Sequence, residues 1–140
     1  MAQEQKEIKL KKEYLKGYEK TVRQMERSEL RLQEVQLSRI CPAIVNDGMP
    51  HVHSNNDLSS YAVLLERERR RYLKYRYRRI KKCREITDKI ERLQDEDEKD
   101  ILMYRYIKLM KWVDISDKME LSQQHVQKIH LRALKNFKMR

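Results

Sequence analysis

The sequence predicts an all-α protein: a long antiparallel helical hairpin followed by a C-terminal helix-turn-helix domain. Three observations carry this. The 140-residue chain holds two glycines and two prolines while 39% of it is charged, a composition poor in turn formers that favours long helices over a sheet. Apolar residues recur at steps of three, four or seven along two extended stretches, the spacing of a helix face. Residues 101–140, ILMYRYIKLMKWVDISDKMELSQQHVQKIHLRALKNFKMR, read as two short amphipathic helices meeting at a tight corner. In that layout the second helix enters a DNA major groove.

The first long helix follows from Ile8, Leu15, Tyr18, Val22, Met25 and Leu32, which share one face. It is expected to end before Pro42, because the residue ahead of a proline is pushed out of the α region. Pro42 to Asp57 gathers both prolines, one glycine and three asparagines, so a loop is expected over 42–57. Asp57 is placed to cap the next helix. From Leu58, apolar groups recur at Tyr61, Leu65, Tyr72, Tyr75, Cys83, Ile86, Ile90 and Leu93, a seam near the heptad period. At a rise of ~1.5 Å per residue each helix would run on the order of 45–55 Å, and one loop joins them most simply as a hairpin. Such a hairpin has a thin core, so a homodimer or higher homo-oligomer is expected. The domain expectation is therefore 1–94 for the hairpin and 95–140 for the helix-turn-helix.

The run Asp95 to Asp100 interrupts the apolar pattern and reads as a short connection, its carboxylates suited to the next helix N-terminus. Three helices are expected beyond it, at about 97–108, 112–119 and 123–137. Tyr106, Ile107, Trp112, Ile115 and Met119 would face inward, Ser116 would allow close helix approach, and Leu121 would plug the corner. Ser122 is a good N-cap for the last helix. Val126, Ile129, Ala133, Leu134 and Phe137 complete its inner face. Gln123, Gln124, Gln127, Lys128 and Arg132 remain outward, with His125 at the edge. Glutamine pairs with adenine through two hydrogen bonds, and lysine reaches guanine or phosphate.

The formal charge of +11 favours polyanionic partners. Between Arg67 and Arg84 lie eleven Lys or Arg and a single acid, Glu68, with Tyr72, Tyr75 and Tyr77 interleaved. Arg69, Arg70, Arg71, Arg78 and Arg79 are the candidates for non-specific phosphate contact; a solvated coiled-coil face is the equal alternative. No run of 18 apolar residues would span a membrane, and the start lacks an apolar secretory stretch, so a cytoplasmic protein is expected. Cys41 and Cys83 read as free thiols, with a helix-pinning disulfide or a redox switch as alternatives. His51 and His53 lack the companions that a metal site needs. No glycine-rich nucleotide loop, nucleophile motif or acid–base pair is present. The expectation is no catalysis, no metal and no cofactor.

The segment VQKIHLRALKNFK resembles the end of region 4 of the primary sigma factors, which reads a promoter's −35 element. The match rests on Val126, Ile129, Ala133 and Leu134 with the basic Arg132 and Lys135. With RYI at 105–107 and WVDIS at 112–116, the chain is similar to small phage late-transcription regulators of the ArpU/RinA type. Their plan is also similar: a long helical part, a loop like Gly48-Met49-Pro50-His51, another long helix, then the sigma-like motif. The resemblance implies base reading by Gln123, Gln124 and Lys128. It implies backbone contacts at or near Ser122, His125, Gln127 and Arg132. The implied partners are double-stranded DNA and host RNA polymerase. Such proteins commonly carry glycine in both turns, where this chain has Leu109 and Glu120. Either the corners differ, or a left-handed backbone costing about 1 kcal/mol is tolerated. No segment resembles the promoter-melting region. The expected function is a sequence-specific phage transcription regulator, a late-gene activator acting with host polymerase in the host cytoplasm. The alternatives are a packaging factor like a small terminase subunit and a helical adaptor that binds protein only.

Overall fold

The two long apolar seams form α1 (Ala2–Ile40) and α2 (Asn55–Glu91) in a computed structural model that describes residues 1–40 and 55–140. Three shorter helices follow: α3 (Glu96–Leu102), α4 (Trp112–Met119) and α5 (Gln123–Asn136). No strand occurs among the described residues, and the chain is all-α. No helix among them is long and apolar enough to cross a membrane. Cys41, the Gly48–His51 motif and His53 lie outside the described residues, as does the expected loop up to residue 54. One expectation is corrected here. Asp57 does not precede α2; it is the helix's third residue.

The chain divides into two compact units, residues 1–21 with 79–140, and residues 22–78. The division runs through both long helices, whereas the composition changes at about 94/95. The larger unit explains the difference. Leu15 and Tyr18 of α1 and Ile86 and Ile90 of α2 are buried there together with Leu102, Tyr106, Leu134 and Phe137. The start of α1 is also tied to the end of α5. Lys11 Nζ donates to the Lys135 carbonyl at 3.3 Å, Lys135 pairs with Glu4 at 3.3 Å, and the Tyr14 and Phe137 rings lie 6.2 Å apart. The Tyr14 ring of α1 thus lies beside the buried Phe137, and the start of α1 packs against the end of the C-terminal helices. The pair is antiparallel in this unit. Tyr14 receives a hydrogen bond from Lys89 Nζ (2.6 Å) and donates to Glu85 (2.5 Å), while Tyr18, one turn later, meets Arg79 (3.2 Å).

The smaller unit consists of the rest of α1 and α2. Among its described residues no apolar side chain is fully buried; Val22, Met25, Leu32, Tyr61, Leu65, Tyr72 and Tyr75 are half-buried. The buried residues among those described there are polar, Ser28 and Glu68. Leu30, Leu37, Val63 and Leu73 are exposed.

Candidate nucleic-acid interface

The corner between α4 and α5 sits on a small apolar core. Ile101, Ile115, Val126 and Ile129 form its buried centre, and Tyr104, Met110, Trp112, Met119 and Leu121 pack around them. The inward set expected from spacing is thus brought together, and Ile101 joins it. Asp95 caps α3, its Oδ1 accepting the Asp97 N–H at 2.9 Å. Ser122 caps α5, its Oγ accepting the His125 N–H at 3.1 Å. A side-chain acceptor there satisfies one of the orphaned N–H groups of a helix start.

Two residues with positive φ build the turns, Leu109 at 55° and Glu120 at 57°. These are the positions where the sequence resemblance leads one to expect glycine, and the corners keep the left-handed backbone without it. The hydrogen bonds explain why. Beyond Leu109, the Met110 N–H returns to the Tyr104 carbonyl (2.9 Å); beyond Glu120, the Leu121 N–H returns to the Ser116 carbonyl (3.1 Å). The closure at Ser116 is the six-to-one bond of a Schellman turn, and the closure at Tyr104 is one residue wider; each satisfies a helix-end carbonyl. Met110 and Leu121 then enter the apolar cluster. The Ser116 hydroxyl donates to the Leu121 carbonyl and locks the second corner. Before the first corner, α3 runs into a π-helical turn at Met103–Ile107, where an ordinary helix to 108 was expected. Its wide closure, Lys108 N–H to Met103 carbonyl at 2.9 Å, leads directly into the positive-φ residue.

On this frame α5 exposes Gln123, Gln124, His125, Gln127 and Lys128. Gln124, Gln127, Lys128 and Leu131 follow at three, four and seven residues, so they form one stripe. Leu131 is 45% exposed and adds an apolar group to a face otherwise polar. Gln123, Gln124, Gln127 and Lys128 make no side-chain hydrogen bond or ion pair within the described residues. Arg132 differs. Its Nε donates to Glu98 at 2.8 Å and its terminal nitrogen to Asp95 at 2.7 Å. Glu98, 2% exposed, also accepts from Asn136 at 3.0 Å. This guanidinium clamps α5 to the start of α3.

His130 is the functional-scale surprise of α5. It was not placed by apolar spacing, yet it is 4% exposed. Its Nε2 lies 2.7 Å from the Tyr106 hydroxyl, its ring stacks on Tyr106 at 5.7 Å, and Trp112 meets it edge-on at 4.6 Å. Burial, with Lys12 and Arg105 nearby, lowers its pKa to about 4. Burial raises that of Tyr106 to about 12. Both groups are therefore neutral near pH 7, and one proton is shared between the Tyr106 hydroxyl and Nε2.

Basic side chains that the spacing argument passed over surround α4. Lys108 and Lys118 stand over the Tyr104 ring at 5.8 and 5.0 Å, and Lys111 is exposed at the α4 N-cap, which has no side-chain acceptor. An uncapped helix start beside lysines attracts phosphate. The signal in the sequence was the spacing of lysines at 108, 111 and 118 around the corner.

The basic run sorts into distinct roles. Within the smaller unit Arg69 is exposed and has no carboxylate partner among the described residues. Arg70 pairs with Glu66 at 2.9 Å, Arg71 lies 3.7 Å from Glu68, and Arg78 covers the Tyr75 ring at 5.6 Å. In the larger unit, Arg79 is half-buried, donates to the Tyr18 hydroxyl, and has its Nε buried without an acceptor. Arg79 is thus part of the packing between α1 and α2.

Residues 70–138 match the model of a family described as a protein of unknown function (DUF1492). No curated protein and no solved structure matches the chain.

Proposed function

We propose that the chain is a sequence-specific DNA-binding transcription regulator, phage-encoded and acting with host RNA polymerase, in which α4, the Glu120 corner and α5 work as a helix-turn-helix. The observation that carries this is the unpartnered stripe of α5. Gln123, Gln124 and Lys128 are free to meet base edges, while Ser122, His125 and Gln127 lie beside them for the backbone. Lys108, Lys111 and the uncapped start of α4 add phosphate contacts. Arg132 is left out of this set because Asp95 and Glu98 hold it. Glutamines suit adenine, and Leu131 suits the thymine methyl, so the preferred site is rich in A·T pairs.

A homo-oligomer belongs to this reading. Among its described residues the smaller unit buries no apolar side chain fully and exposes Leu30, Leu37 and Val63, which a second copy would cover. A dimer in solution favours the regulator, and a ring larger than a tetramer favours the packaging-factor reading.

Selection from random duplexes tests the proposal. The full chain should enrich one A·T-rich motif, and replacing Gln123, Gln124 and Lys128 together by Ala should erase the enrichment while non-specific binding persists. Failure to bind duplex DNA tighter than micromolar at ~50 mM salt would refute it, since basic DNA binders do better under those conditions.

A further inference from the structure

We propose that the helix pair carries a phosphate-binding cleft, built by Arg27 and Arg31 of α1 and Arg71 of α2, that takes a phosphorylated anion. Gln24, Arg27, Ser28 and Arg31 follow at three, four and seven residues and form one stripe of α1. With Arg71 and Tyr75, one turn apart on α2, they line a cavity of about 370 Å³ within the smaller unit. A helix pair normally fills this level with apolar side chains. Here the buried residue is Ser28, 2% exposed, whose hydroxyl donates to the Met25 carbonyl at 2.7 Å. Its small size leaves the space open, and no carboxylate lines it.

Charge points the same way. Arg27 and Arg31 have no carboxylate partner among the described residues. Arg71 is held 3.7 Å from Glu68, which is 5% exposed and stands outside the cleft wall. Of the three guanidiniums only Arg71 has a carboxylate within 4.0 Å among the described residues, and Glu68 shares that oxygen with Arg67 at 3.8 Å. Guanidinium forks bind phosphate oxygens in pairs, and Gln24 and Tyr75 add neutral donors. The cavity exceeds the needs of one phosphate group and accommodates a phosphate with its attached sugar. Two sources share that chemistry, a nucleic-acid backbone and a free nucleotide. The site is separate from the α5 stripe and does not depend on it.

Titration calorimetry of the full chain with inorganic triphosphate at low salt tests the cleft. The wild type should bind one triphosphate per chain. R27Q/R31Q should weaken binding ~10-fold or more, since two charge-assisted contacts are lost. R76Q/R84Q, which removes equal charge from exposed positions outside the cleft, should change it less than ~2-fold, as expected of diffuse electrostatics alone. R27K/R31K should fall in between, because lysine keeps charge but loses the planar fork. Unchanged helical circular dichroism confirms folding of each variant. Equal losses in the two glutamine pairs, or no saturable binding by the wild type, would overturn the site. A short duplex supplies the second arm. If R27Q/R31Q weakens duplex binding and triphosphate competes with DNA, the cleft holds the nucleic-acid backbone. If duplex affinity is unchanged while triphosphate binding is lost, the cleft holds a free nucleotide.

Discussion

The Tyr106 hydroxyl and His130 Nε2 meet at 2.7 Å inside the C-terminal core, joining the π-helical turn to α5. Tyr106 fills one side of the imidazole and Trp112 closes another. The histidine is held neutral: its pKa falls from 6.5 to about 4, chiefly through burial. The unfolded chain therefore takes up the proton first as the pH drops. The stabilisation is complete above about pH 6.5 and is lost progressively down to about pH 4. By linkage the loss is on the order of 3 kcal/mol. Chemical denaturation across this range should show it in the wild type and not in H130Q, whose amide does not titrate. Trp112 is the single tryptophan, so its fluorescence reports the same transition.

Glu120 and Leu109 share a left-handed backbone but differ in what their side chains do. Glu120 is exposed, so E120G relieves backbone strain at little other cost. It should raise stability by about 1 kcal/mol. Leu109 is 38% exposed, and its partial burial offsets the strain that glycine would remove. L109G should therefore be near neutral, within about 0.5 kcal/mol. Thermal melts of the two variants check the contrast.

Arg132 and Lys128 lie one turn apart on α5 but are expected to act differently on DNA. Lys128 has no internal partner, whereas Arg132 is held by Asp95 and Glu98. Measured as log affinity against log salt, K128Q should lower the slope by about 1, the value of one lost phosphate or base-edge charge. R132Q should leave the slope unchanged while lowering the melting temperature. A full unit of slope lost in R132Q would return Arg132 to the DNA face.

The same measurement separates Arg69 from Arg79. Arg69 is exposed and has no ion-pair partner among the described residues, and R69Q should reduce the slope by up to about 1 if the basic run tracks phosphates. Arg79 donates to Tyr18 between the long helices. R79Q should lower stability and spare the slope.

Apolar spacing in one dimension determined most of the helical architecture. The stripes from Ile8 to Leu32 and from Tyr61 to Ile90 form α1 and α2, because a helix repeats every 3.6 residues and one face must leave water. The helices expected at 112–119 and 123–137 appear at Trp112–Met119 and Gln123–Asn136, bounded by Ser122 as a cap. The outward glutamines were legible for the same reason: residues left over from the apolar face point to solvent.

What the tertiary structure decided are the pairings between distant residues. Spacing placed Arg132 outward, and only the fold brings Asp95 and Glu98, more than 30 positions earlier, within 2.7 and 2.8 Å of it. Spacing said nothing of His130, because a polar residue becomes buried only where a partner such as Tyr106 awaits its nitrogen. The positive φ at Leu109 and Glu120 was left open by residue type, since neither is glycine. It was settled by the closures to Tyr104 and Ser116, and by the core that Met110 and Leu121 enter. The sequence by itself determined which residues each helix turns inward, as period and polarity are local properties. Which charges are spent inside the protein, and which remain for a partner, depends on distances across the fold that no local pattern contains.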